Sequence, residues 1–262
     1  MNTVVDDAPR VTVEKAGAVW RVEISNPARR NALTWGMYQQ LQDISRAANA
    51  SDDVRVLVLR GAGGTFAAGT DIAQFTDFDG DAGVAYEHRV GEILGDLLSV
   101  RVPVVGVCEG PVVGAGLVIA ACCDLLVATE DAQFGIPVAR TLGNVIAPTS
   151  MQRLRDRLGP GRTMAMLLTA RPLSAAEAQS AGFVHRVTST DQIDALVEEV
   201  VEGLLASAPL TLAAVKDLER RLARRDAADP ADDVVRRVYG SADFHEGVTA
   251  FVEKRRPQWR GE

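Results

Sequence analysis

The sequence predicts an α/β fold closed by a helical C-terminal unit, and three observations carry that reading. Between residues 11 and 187, short apolar runs rich in β-branched residues alternate with segments of helical spacing. Such strand-then-helix units imply parallel strands joined by right-handed crossovers. Two passages out of buried strands, residues 65–72 and 110–116, are dominated by small residues and lead into helical spacing. From Asp191 onward the pattern is helical to the end, which divides the chain into a core at 1–204 and a smaller helical unit at 205–262.

The elements follow in order. Residues 11–13 and 18–24 alternate around Ala16-Gly17 and read as a strand hairpin, which Asn26-Pro27 ends. Thr34 is the expected N-cap of a helix carrying Met37, Leu41, Ile44 and Ala48 at helical spacing. Residues 54–59 form a strand buried on both faces, and 86–100 a helix with Val90, Ile93, Leu94, Leu97 and Leu98 inward. Strands are expected at 103–108 and 125–128, with a short helix between them. Helices at 149–158 and 162–169 break at Gly159-Pro160, and Ser174 with Glu177 makes a capping box for a helix at 174–180. A strand at 183–187 completes the core, and four helical segments broken near Pro209, Pro230 and Ser241 complete the chain.

Composition narrows the function. At 262 residues the chain can bury one large core. Its 47% hydrophobic and 24% charged residues are ordinary for a globular enzyme. A net charge of −7 argues against binding a nucleic-acid backbone through bulk charge. No apolar run reaches the roughly 18 residues of a membrane span, and the polar first ten residues do not read as a secretion signal. Cys108, Cys122 and Cys123 lie in apolar segments and read as buried free thiols, so the expected compartment is the cytoplasm.

The two small-residue loops carry the chemistry. A strand that turns into a helix through such residues leaves backbone N–H groups without acceptors. Two of them aimed at one point can stabilise a thioester oxygen as it gains negative charge. This demands little of side chains, and the second loop with the helix behind it, residues 110–123, contains no carboxylate; Glu109 stands just before it.

The motifs, taken together and in this spacing, resemble the crotonase (enoyl-CoA hydratase/isomerase) superfamily. They are Asn26-Pro27-Ala28-Arg29-Arg30-Asn31-Ala32-Leu33, Phe66-Ala67-Ala68-Gly69-Thr70-Asp71-Ile72, Gly114-Ala115-Gly116 and Ala132-Gln133-Phe134-Gly135-Ile136-Pro137. Residues 178–187 and the Asp243-Phe244-His245-Glu246-Gly247 stretch extend the likeness nearly end to end. The resemblance implies a β-β-α spiral core with a helical trimerisation unit, assembling as a homotrimer or a dimer of trimers. It implies backbone amides of Thr70 and Ala115 as an oxyanion hole. It places Ala28, Arg30, Ala32, Ala68, Asp71 and Ile72 along the coenzyme A path, with Phe251 and Lys254 at the nucleotide end. The expected ligand is an acyl-CoA thioester as substrate; no metal, resident cofactor, nucleic acid or membrane partner is expected.

On the residues alone, several of these positions stay open. Asp71 fits helix N-terminal stabilisation as well as a ligand contact, and Arg29 and Arg30 fit a solvated turn as well as a phosphate contact. Ala115 stands where the family has Gly, which is tolerable if its φ is negative.

The chain also departs from the family pattern. The resemblance aligns Val118 and Val138 with the two glutamates that hydratases use to activate water. Valine supplies neither acid nor base, and each such group contributes about 10²–10⁴-fold. Ordinary two-glutamate hydration is therefore not expected, which leaves decarboxylase-, isomerase- or hydrolase-type chemistry, or a silent acyl-CoA-binding protein. Arg140, Thr141 and Asn144 are candidate polar substitutes, with loop packing or subunit contact as the alternative. Glu87 and His88 lie in a region from which relatives of the resembled family sometimes draw catalytic groups, but read rather as a solvated helix face. Glu109 reads as either site-directed or outward, Asp124 as a cap, and His185 and His245 as structural or exposed.

Overall fold

In the computed structural model, residues 8–75, 79–223 and 241–262 are described. Strands β1 (Arg10–Ala16) and β2 (Val19–Ser25) form the hairpin, antiparallel from Arg10↔Ser25 to Ala16↔Val19. Helix α1 (Trp35–Ala50) follows, capped by Thr34, whose hydroxyl accepts from the Met37 amide at 3.4 Å. Strand β3 (Val56–Gly61) pairs parallel with β2, and α2 (Gly80–Leu98) starts at Asp79, whose carboxylate accepts from Ala82 N at 2.8 Å. The α2 helix thus begins six residues before the position expected from the sequence, because Asp79 is a stronger cap than anything nearer Tyr86.

Strand β4 (Val104–Cys108) pairs with β3, and a short strand β5 (Pro111–Val113) leads into α3 (Ala115–Cys122). Strands β6 (Leu125–Thr129) and β7 (Gln133–Gly135) precede the short α4 (Val138–Thr141) and the helices α5 (Pro148–Leu158) and α6 (Pro160–Thr169). The capping box on α7 (Ala175–Ser180) forms as expected, after β8 (Leu173–Ser174). Strand β9 (Arg186–Thr188) is shorter than expected, since residues 183–185 lie before it as a turn. The chain closes with α8 (Ile193–Leu205), α9 (Pro209–Ala223) and α10 (Ala242–Glu253). Pro230 and the segment expected around it lie outside the described residues.

Six strands form one sheet in the order β1-β2-β3-β4-β6-β9, all parallel except β1. A second sheet runs β5-β7-β8. The alternation of β3 and β4 sorts the core. Val56, Val58, Val105 and Val107 face α8 through Ile193, Leu196, Val197 and Val201. Leu57, Leu59 and Val104 face the larger core of α1, α2, α3 and α5. Strands buried on both faces read as continuous apolar runs, and these do. Cys108, Cys122 and Cys123 are buried free thiols, and burial pushes the Cys122 thiol up to about 12.

Candidate active site

The site is built where the β3 and β4 ends meet. Ala67 and Val112 form a parallel bridge: Val113 N donates to Ala67 O at 2.9 Å and Ala67 N to Pro111 O at 3.3 Å. Counting on from that bridge, Gly69 and Gly114 stand at matching positions two residues later, and Thr70 and Ala115 at matching positions three later. Both glycines hold positive φ, 106° and 56°, the conformation that turns each chain out of its strand. The approach is close: a Cβ at Gly69 would sit 3.4 Å from Val113 O, and one at Gly116 would fall onto the Ala67 carbonyl.

Thr70 is also bridged to Leu33. Leu33 N donates to Gly69 O at 2.8 Å, and Asp71 N donates to Leu33 O at 2.9 Å. That pairing uses the groups on either side of Thr70 and leaves its own N–H turned the other way. Ala115 opens α3, so its N–H has no partner within the helix. Neither amide has a protein acceptor among the described residues. Ala115 is absent from the positive-φ residues, because Gly114 absorbs the turn before it. Alanine there costs no backbone strain.

Two buried asparagines hold the first loop, and the sequence reading did not single out their role. Asn31, at φ 58°, donates through Nδ2 to Ala62 O and Thr65 O at 2.9 and 2.6 Å. Its Oδ1 accepts from Asn26 N at 2.9 Å, while Asn26 Nδ2 donates to Ala32 O at 2.7 Å. An Asn in the left-handed region just after a Pro-led turn was the available signal.

Thr70 and Ala115 line one cavity of about 240 Å³. Its walls are apolar: Val90 and Leu94 from α2, Val118 and Ile119 from α3, and Ile136 and Val138 beyond β7. A wider cleft of about 730 Å³ continues outward between the start of α2 and residues 142–148. At the inner cavity, the Tyr38 and Tyr86 hydroxyls meet Thr70 Oγ1 at 2.7 and 2.6 Å. Burial pushes both phenols above their ordinary value, Tyr38 strongly, so they remain neutral hydrogen-bonding groups. Trp35 and Phe75 pack their rings on Tyr86, with centroids 5.5 and 5.0 Å away.

Glu87 lines both the cavity and the cleft, which corrects its reading as a solvated helix face. Its Oε2 accepts from Ala147 N at 3.1 Å, and burial raises its carboxyl above the ordinary range against the lowering effect of that bond. The signal was in the sequence: Glu87 stands three residues before Val90 and seven before Leu94, on their inward stripe. His88 lines the outer cleft alone and is exposed.

Thr141 and Asn144 line the cavity, whereas Arg140 turns away and donates to Thr169 O at 2.8 Å. The pull of the free carbonyl at the end of α6 explains that placement. Glu109 does not reach the cavity. It is 4% exposed and paired with Arg60 at 2.5 Å, so its charge is already answered. Asp124 is no helix cap; it accepts from Val104 N at 2.7 Å and from Lys216 Nζ at 2.5 Å, fastening α9 to the sheet. His185 is exposed, and the His245 side chain lies outside the described ones.

Ala68 and Ile72 line the cavity, and Ile72 is exposed at its mouth. Asp71 accepts from Ala73 N at 3.2 Å and lies 3.6 Å from the Arg29 guanidinium. Ala28 and Arg30 sit exposed on the turn before α1, where the Arg30 carbonyl receives Ala68 N at 3.1 Å. Ala32 is buried beside them. Lys254 is exposed after α10 at φ 55°, and the Phe251 side chain lies outside the described ones. Among the described residues no cluster of His, Cys, Asp and Glu is placed to hold a metal.

Comparison with known proteins agrees over nearly the whole length. The family model described as enoyl-CoA hydratase/isomerase matches residues 14–262. A protein of Mycobacterium leprae named "Probable enoyl-CoA hydratase echA6" is 34% identical over 96% of this chain and 99% of its own. One from Dictyostelium discoideum, named "Probable enoyl-CoA hydratase, mitochondrial", is 29% identical over 95% of this chain and 90% of its own. The crystal structure of an enoyl-CoA hydratase/carnithine racemase from Magnetospirillum magneticum superposes with a TM-score of 0.89 at 30% identity, covering 96% of both chains.

Proposed function

The chain belongs to the enoyl-CoA hydratase/isomerase family, and from that membership we propose that it is an acyl-CoA enzyme acting through a stabilised thioester enolate or oxyanion. The observation that carries this reading is the pair of acceptor-free amides, Thr70 N and Ala115 N, at matching positions on one apolar cavity. In this reading the thioester carbonyl sits between them and both donate to its oxygen. Donors fixed in advance, in a site that excludes water, stabilise developing charge without reorganising, and one such donor is worth about 3–4 kcal/mol. Coenzyme A would run along Ala68, Asp71 and Ile72 toward the turn bearing Ala28, Arg30 and Ala32, with Lys254 and Phe251 at the nucleotide end.

The Val118 and Val138 side chains on the cavity wall support a reaction other than two-glutamate hydration. Isomerisation, decarboxylation and hydrolysis each need the oxygen held as charge develops on it. None needs two carboxylates for a water. A panel of saturated, enoyl and malonyl-type acyl-CoA esters tests the proposal, with turnover and binding followed in parallel. Turnover of at least one ester above the buffer rate is expected. Binding across the panel without turnover of any ester would instead establish a silent acyl-CoA-binding protein.

A further inference from the structure

Among the described residues, Glu87 is the single carboxylate, and with the two tyrosines the whole set of ionisable residues, on the inner cavity that holds both free amides. Its place on α2 is costly. The 87/90/94 spacing sets it on the apolar stripe of the helix, where a polar residue is an error of pattern unless it serves a function. Among the described residues no Arg or Lys lines the cavity or the outer cleft to offset its charge.

The carboxylate is nevertheless positioned. One oxygen, Oε2, accepts from Ala147 N on the opposite wall, which fixes the side chain between α2 and the segment before α5. Oε1 has no protein donor among the described residues' hydrogen bonds. Next to it in the chain, Tyr86 bonds the hydroxyl of Thr70, so α2 ties the carboxylate and one of the two amides into the same wall. A half-buried carboxyl whose pKa burial raises above the ordinary glutamate range is suited to taking and returning a proton.

We propose that Glu87 is the acid–base residue of this site, abstracting the proton on the carbon next to an acyl-CoA thioester and returning it. The inference rests on the enolate reading above. In the forward step the α C–H bond breaks and its proton passes to the Glu87 carboxylate. The freed electron pair forms the C=C of the enolate, and the carbonyl pair moves to the oxygen held by Thr70 N and Ala115 N. Return of the proton to the α-carbon restores the substrate; with an enoyl chain, its delivery to the γ-carbon shifts the double bond. The substrate class is an acyl- or enoyl-CoA ester with an α- or γ-hydrogen, and no oxidant or second substrate is required.

Deuterium exchange tests this without knowledge of the physiological ester. The full chain is incubated with butyryl-CoA in D₂O, α-deuterium is followed by mass spectrometry, and affinity for the same ester is measured by calorimetry. Wild type should exchange, while Glu87→Gln should bind within about threefold of wild type and exchange at least about 100-fold more slowly. Gln keeps an oxygen acceptor for Ala147 N, so the wall is retained. The wild-type exchange rate should also rise with pH as one group above the ordinary glutamate range ionises. The other titratable groups facing it, Tyr38 and Tyr86 within the cavity and Asp79 and His88 on the outer cleft, remain in Glu87→Gln, whose residual rate should lack that rise.

Exchange by Glu87→Gln within about threefold of wild type would overturn the role of Glu87 and leave the enolate reading standing. Binding without any exchange by wild type would also overturn the role of Glu87, and the ester panel above would then decide the enolate reading, since decarboxylation reaches an enolate without a base. If Glu87→Gln fails to fold, the wild-type pH profile decides: a rate flat between pH 5 and 8 would overturn the proposal.

Discussion

At Gly116 the backbone leaves no room for a side chain, and the reason lies in the neighbouring loop. A Cβ there would meet the Ala67 carbonyl, the acceptor that locks the two loops in register. Gly116→Ala is expected to cost about 1–3 kcal/mol by overpacking and to lower turnover about 100-fold by moving the Ala115 amide. Urea denaturation and steady-state rates check the two effects separately. Glu87 gives a second prediction, in the pH dependence of stability. Its folded pKa is raised by burial, so its contribution to stability is present below the unfolded value of about 4.3 and lost as pH rises through the folded value. Glu87→Gln should therefore raise the urea midpoint at pH 7 and leave it nearly unchanged at pH 4. These two residues differ in how far the sequence revealed them. Small residues at a strand end speak directly of backbone geometry, whereas Glu87 meets its partner Ala147 sixty residues later, and no local pattern conveys that contact.

Among the elements, α9 depends on one buried ion pair. Lys216 Nζ donates to Asp124 at 2.5 Å and to Val102 O at 2.7 Å, and the two side chains are 10% and 29% exposed. Burial lowers the lysine's pKa and the Asp124 charge opposes that. Breaking such a pair leaves a carboxylate without its partner, so Lys216→Ala should destabilise by about 3 kcal/mol. Denaturation midpoints measure the loss, and limited proteolysis should cut α9 free before the core. The helices and strands themselves were largely legible. Thr34 and the Ser174–Glu177 box mark helix starts in the sequence, and both cap as expected. The start of α2 was hidden because its cap, Asp79, stands in an acidic stretch that reads as a loop. Asp124 was misjudged for a related reason: its partner arrives from a helix ninety-two residues downstream.

For the molecule as a whole, the central strands β3, β4 and β6 are buried on both faces, yet the later helices still expose large apolar residues. Leu168 on α6 and Val215 and Leu222 on α9 are 72%, 59% and 66% exposed. Surfaces of this kind suit association between copies. The expected assembly is a homotrimer or a dimer of trimers, and light scattering should return a mass three or six times that of the chain. A strict monomer at micromolar concentration would contradict it. The family and fold were readable because loop motifs keep their order and spacing over the whole chain, but assembly is a property of surfaces that no motif spells out.

The account turns on two main-chain nitrogens sharing one oxygen. A crystal structure with an acyl-CoA ester bound tests that most directly. It should place the thioester oxygen within about 2.7–3.1 Å of both Thr70 N and Ala115 N. An ester bound with its carbonyl elsewhere in the cavity, or with either amide engaged by the protein, would contradict it.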